Sequence, residues 1–248
     1  TYILQSRPIS TIDLSNSPKN NNKSNQENKK FKLDLDIPPI IYAYYKITPI
    51  LRNHLYWTAA LAKIILDHWT GIELRKDVII TTLLLHDLGN MVKEGIMDND
   101  RNYYGIIRAN MIRNYGEDDH RVSEELSIEL GVPENGEVIS LMRRKLYENN
   151  KENYENKDYE AMLSAYCDQR ISPSGITSLR ERLDEVMRRT YGTNQRRYRI
   201  LIDQYSYEYA FEIEKEIQRY VNIDLSKITQ DDLEKEVNNL RKFKILKI

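Results

Sequence analysis

The chain has one cysteine, three phenylalanines, four histidines and almost no imbalance of charge. Each scarcity removes a class of protein. A single thiol, Cys167, cannot build an intramolecular disulfide framework and suits a reducing, cytoplasmic setting. No apolar run approaches the ~20 residues that a helix needs to span a bilayer. The 37 basic and 38 acidic side chains leave a formal net charge of −1, so no global basic field draws the chain to nucleic acid. Strand-like alternation of useful length and internal repeats are missing as well. Nothing at the start resembles a signal peptide, and Thr1 in place of Met reads as a processed or truncated end.

What remains is a chain of 248 residues, 40% hydrophobic and 30% charged, long enough for one domain of about 200 residues with a sizeable core. Residues 1–36 read as a low-complexity arm. Ser15 to Lys30 is rich in Asn, Lys and Ser and offers nothing apolar to bury, the composition of a disordered or extended segment. The main domain is expected over 37–222, with a C-terminal helical extension over 223–248.

The domain reads as all-α. Thr48-Pro49 supplies an N-cap and N1 pair for a helix to Trp69, stopped at Gly71. Asp77 is placed to cap an apolar helix that carries His86 and Asp87, with Gly89 at its C′ position. Asp118 or Asp119 opens a helix that ends at Gly131-Val132-Pro133, and further helices are expected over 136–146 and 157–169. Ser178 and Glu181 form a capping box for a helix to Thr190, a long helix covers 194–221, and Thr229 with Asp232 opens the last one. The eighteen tyrosines include Tyr198, Tyr205, Tyr209 and Tyr220 on the long helix. They read as core side chains whose hydroxyls reach solvent.

Three of the four histidines and two aspartates carry the chemistry. On a 100° wheel His54 shares its face with Ile47, Ile50, Leu61 and Ile65, so it points inward. His86 and Asp87 close the run from Val78 to Leu85, which must be buried in a soluble fold. A carboxylate at the end of such a run costs several kcal/mol unless it is hydrogen-bonded, paired or metal-bound. Asp168 lies above Ala161, Ser164 and Ala165, small residues that leave room for an ion beneath it. Two imidazoles and two carboxylates suit Mn, Fe, Co, Ni or Zn, and Mg where waters complete the shell. His68, beside Asp67 at a helix end, reads as a residue favoured there by the helix dipole.

The ordered set Leu51-Arg52-Asn53-His54, Leu84-Leu85-His86-Asp87-Leu88-Gly89 and Tyr166-Cys167-Asp168-Gln169-Arg170 resembles the HD superfamily of metal-dependent phosphohydrolases. The resemblance runs from about Ile37 to Gln218. It implies a helical bundle in which His54, His86, Asp87 and Asp168 hold one divalent ion, with Asp87 also accepting a proton from the attacking water. The implied substrate is a phosphate ester of a nucleotide or related small molecule. Members with two ions have further histidines after the His-Asp pair. Here His120 stands alone, so one ion is expected and His120 is assigned to the substrate phosphate or leaving group. Asn90 departs from a lysine common in active members, and Lys93 is the nearest replacement. Arg52 and Arg170 read as solvated, Arg170 unless its helix ends at Asp168. The arginines from Arg180 to Arg189 read mostly as surface pairs. Two other readings stay open: a catalytically weak HD-fold module that binds metal or nucleotide, and a single-strand nuclease using Arg188 to Arg199.

Overall fold

The structure is a computed structural model that describes residues 35–93, 101–192, 194, 198–199, 202 and 206–247. The expected arm over 1–36 lies outside the described residues except for Leu35 and Asp36. Eleven helices are described: α1 Pro38–Tyr44, α2 Pro49–Asp67, α3 Lys76–Leu85, α4 Arg101–Tyr115, α5 Asp119–Glu129, α6 Glu137–Arg144, α7 Asn150–Glu155, α8 Tyr159–Arg170, α9 Leu179–Thr190, α10 Ser206–Arg219 and α11 Gln230–Leu240. A two-stranded antiparallel ribbon, β1 Ile171–Ser172 with β2 Gly175–Ile176, turns the chain between α8 and α9. The fold is all-α, as the composition and periodicity require.

α3 is the centre. Every residue from Val78 to Leu85 is buried, so beyond Lys76 and Asp77 this helix has no solvent face and is packed by α2, α6 and α8. α2 packs along α3 on one side and α11 on another, and Trp57 on α2 donates to Glu234 of α11 at 2.7 Å. α10 lies across α7 and α8. Its end joins the end of α2 through Thr70 N–H to Tyr220 C=O at 2.7 Å and an antiparallel bridge between Trp69 and Val221. Residues 245–247 return to the core: Ile245 N–H donates to Asp36 C=O and Leu246 N–H to Thr81 Oγ1.

Most helix starts follow their capping chemistry. Thr48 Oγ1 accepts from Leu51 N–H ahead of α2, Asp118 from the first turn of α5, and both capping boxes form, at Ser178 and at Thr229. Gly131 takes a positive φ of 98° after α5, and Val132 N–H reaches back to Ser127 C=O, a left-handed exit that a side chain would strain.

Three expectations are corrected. Asp77 is not the cap of α3: it sits in the first turn after the N-cap Arg75, whose N–H is satisfied by Glu160 of α8 at 2.9 Å. α3 ends at Leu85, so His86 is its C-cap and Asp87 lies beyond it, opening a 3-10 turn over 88–92. Gly89 is therefore not a helix C′ residue. It lies inside that turn, where a Cβ would come within 2.1 Å of the Asp119 carbonyl and 2.6 Å of Ser123 N, so its bare Cα allows the turn to touch α5. Within the expected 194–221 helix, Tyr198, Arg199, Ile202 and Ser206–Arg219 are helical, and much of 193–205 lies outside the described residues.

Candidate metal centre

Three elements deliver the four ligand-type residues. His54 occupies the second turn of α2, just ahead of Leu55, which is fully buried. His86 is fixed at the end of α3 by its own N–H to Thr82 C=O at 2.8 Å, while Tyr42 of α1 donates to the neighbouring Leu84 carbonyl at 2.8 Å. Asp87, with φ −116° and ψ 16°, turns the chain out of the helix and its carboxylate toward His54. Asp168 stands in the last turn of α8 above Ala161, Ser164 and Ala165, all buried.

Their ligand atoms lie within 4.8 Å of one another. His54 Nε2 is 3.2 Å from Asp168 Oδ1 and 3.5 Å from Asp87 Oδ2. His86 Nε2 is 3.5 Å from the same two oxygens. Both Nε2 atoms are buried, and neither has a well-formed hydrogen-bond partner among the described residues. An ion with bonds of about 2.1 Å separates neighbouring ligand atoms by about 3.0 Å and opposite ones by about 4.2 Å. The cluster is therefore close to the size an ion requires. His86 Nδ1 lies 2.9 Å from Leu83 C=O. A carbonyl can only accept, so Nδ1 carries the proton and Nε2 is the ring nitrogen left to offer a lone pair to the cluster. The donor set and its orientation fit a divalent metal.

Without an ion, charge is balanced internally. Burial alone would lower the His54 pKa, but the close Asp168 and Asp87 carboxylates outweigh it and raise it to about 9. Burial would raise both aspartates. The His86 imidazole and the His54 contact overcome that for Asp87, and Lys145 with the imidazoles does so for Asp168, so both carboxyls fall far below the ordinary range. Divalent metal would replace the proton on His54, since a ligating imidazole must be neutral.

Each carboxylate also has a partner outside the ligand set. Asn90 Nδ2 donates to Asp87 Oδ2 at 2.5 Å, and Lys93 Nζ donates to Asn90 Oδ1 at 2.6 Å and pairs with Asp119 at 2.5 Å. Lys93 thus reaches the cluster through Asn90. Asp168 is held directly: Lys145 Nζ is 2.8 Å from its Oδ2, and only 5% of the lysine side chain is exposed. Two carboxylates against one divalent ion and this ammonium would leave the site one positive charge, where the four ligands alone would leave none.

The cluster forms the floor of a cavity of about 500 Å³. His120 lines this cavity from the first turn of α5, with 58% of its side chain exposed and Nε2 3.9 Å from Asp119. It is on the wall and outside the four-residue group. Ile50 also lines the cavity and is 41% exposed, so it is a wall residue and not core. Arg52 and Arg170 are outside the lining. α8 runs to Arg170, whose buried guanidinium donates to Tyr166 Oη and Thr177 C=O. His68 caps α2, its Nδ1 2.9 Å from Ile64 C=O. Arg188 donates to Asp184 C=O and Arg189 to Glu185, while Arg196 and Arg197 lie outside the described residues.

Sequence reasoning missed Lys145. The signal was available: Val138, Leu141, Met142 and Lys145 stand at i, i+3, i+4 and i+7 on the buried face of α6. A lone charge on such a face needs a buried partner, and at the helix C-cap it is also favoured by the dipole.

A comparison with protein families matches residues 51–171 to the HD domain. That span holds His54, His86, Asp87, Lys145 and Asp168 and stops before α9. No curated protein and no solved structure matches the chain. With the ordered His, His-Asp and Asp converging where that match lies, residues 51–171 of the chain are an HD domain.

Proposed function

We propose that the chain is a phosphohydrolase that holds one divalent ion on His54, His86, Asp87 and Asp168 and cleaves a phosphate ester of a nucleotide or similar small molecule. The observation that carries this reading is the orientation of the imidazoles: two buried Nε2 atoms without hydrogen-bond partners among the described residues, one with its tautomer set by Leu83, face two carboxylates. When bound, the ion would supply Lewis acidity, making a water nucleophilic near neutral pH and polarising a phosphoryl oxygen.

The protein's own residues do the rest. The Asp87 carboxylate takes the proton from the attacking water, and Asn90 Nδ2 keeps it turned toward the cluster. Lys145 Nζ fixes Asp168 Oδ2, so Oδ1 faces the imidazoles. Its ammonium also adds positive charge beneath the phosphoryl group, where negative charge builds in the transition state. His120 on the wall is placed to donate to a leaving oxygen. The second reading, a binding module without turnover, draws on that same Lys145 contact, because the ammonium competes with an ion for Asp168.

The test is a panel of Mn, Fe, Co, Ni, Zn and Mg against nucleoside monophosphates, diphosphates and bisphosphates and p-nitrophenyl phosphate. Wild type should turn over with at least one metal, and Asp87→Ala should fall to background while its circular dichroism stays helical. Equal turnover by the two proteins would place the chemistry elsewhere. A wild type that binds metal but turns over nothing would favour the binding module.

A further inference from the structure

The cavity has a second charged end. α9 turns Arg182, Glu185 and Arg189, at i, i+3 and i+7, toward the cavity, while Leu179, Leu183, Val186 and Thr190 bury its other side. Glu185 is shared: Oε2 accepts from Arg182 and Oε1 from Arg189 Nε at 2.8 Å. One carboxylate against two guanidinium groups leaves one positive charge on this wall. Arg182 is the unusual member. Its side chain is only 12% exposed, and its Nε is buried with no hydrogen-bond partner among the described residues.

A buried donor left without an acceptor costs about 1–3 kcal/mol, more for a charged group, and native proteins supply a partner from protein, water or ligand. The neighbouring arginines are disposed of differently. Arg188 bonds its own helix, and Arg180 lies over the Phe211 ring. Arg182 is thus a fork-shaped donor, held in place by Glu185, in the wall of a cavity whose size suits a small molecule.

We propose that Arg182, supported by Glu185 and Arg189, binds a second anionic group of the substrate, remote from the group over the metal cluster. The substrate class is then a phosphate ester with a further phosphate or carboxylate, such as a nucleoside diphosphate or bisphosphate, and a simple monophosphate is a poor ligand. This rests on the phosphohydrolase reading only for which group is cleaved. A planar guanidinium suits such an anion because it can donate in a bidentate fork.

Equilibrium binding by calorimetry tests it, using the full chain with and without Mn²⁺ and three probes: AMP, ADP and adenosine 3′,5′-bisphosphate. Wild type should bind at least one of the doubly anionic probes about tenfold or more tighter than AMP, as expected for a charged hydrogen bond. In Arg182→Met that ratio should collapse to near one. Arg182→Lys, which keeps the charge without the fork, should give an intermediate ratio and decides the matter if the methionine variant does not fold. A wild type with no preference over AMP, or variants that keep the full ratio, would overturn the subsite. Preference without hydrolysis would retain the subsite and remove the hydrolase reading. Hydrolysis of AMP without preference would do the reverse.

Discussion

The two aspartates of the cluster are the same residue in the same pocket, yet they are held by different means. Asp87 is steadied by a neutral amide three residues on, Asn90, with the cation Lys93 one step further away. Asp168 is gripped directly by the ammonium of Lys145, from another helix and 5% exposed. The first arrangement is local and forms with the turn over 88–92. The second exists only once α6 packs against α8. In the proposed hydrolysis Asp87, on its neutral partner, is the proton acceptor, while the ammonium on Asp168 competes with an ion for that carboxylate and adds positive charge for a phosphate. The difference teaches that a shared ligand set can hide a division of labour set by the partners behind it.

Removing the cation should separate the two roles most. Lys145→Met releases Asp168 and removes repulsion toward a divalent ion, so Mn²⁺ should bind tighter. Turnover should still drop about tenfold or more, because charge beneath the phosphoryl group is lost. The opposite signs matter, since a merely structural lysine would weaken both. Calorimetric Mn²⁺ binding beside steady-state turnover reads them out, and parallel losses would erase the contrast.

Removing the amide should act on orientation. Asn90→Ala leaves the charge of the site unchanged but frees the Asp87 carboxylate. Outer partners of metal ligands are typically worth about 10–100-fold, and because Lys93 keeps its pair with Asp119 the lower part of that range is expected in kcat. Wild-type kcat in this variant would show that Asp87 needs no such support. The smallest effect is expected at His120, which is more than half exposed. His120→Ala should lower turnover about threefold, less than the ~10² usual for an essential general acid, with metal content unchanged. A loss of bound metal in this variant would move His120 from the wall into the ligand set.

Much of this was legible because it is local. Thr48-Pro49, Ser178 with Glu181 and Thr229 with Asp232 announce helix starts through hydrogen bonds that span three residues, and each forms. α4 was illegible because it carries Gly105 and no buried stripe of regular spacing beyond Met111. α7 has one large apolar side chain, Tyr154, in six residues. The convergence of His54, His86, Asp87 and Asp168 followed from residue type, order and inward faces. Lys145 and Arg182 did not. The arginines of α9 were read as surface pairs, and Arg182 does pair with Glu185. What the pattern does not show is that the pair lines the same cavity as the metal cluster, which depends on how α9 is returned over α8 by the short ribbon at 171–176.

The central claim is that four residues hold one divalent ion, and metal stoichiometry with a ligand variant tests it most directly. Elemental analysis of the full chain after loading with Mn²⁺ and desalting should give about one ion per chain, falling to none in His86→Ala, whose helical fold is checked by circular dichroism. Two tightly held ions in wild type, or one ion retained in His86→Ala, would contradict the account.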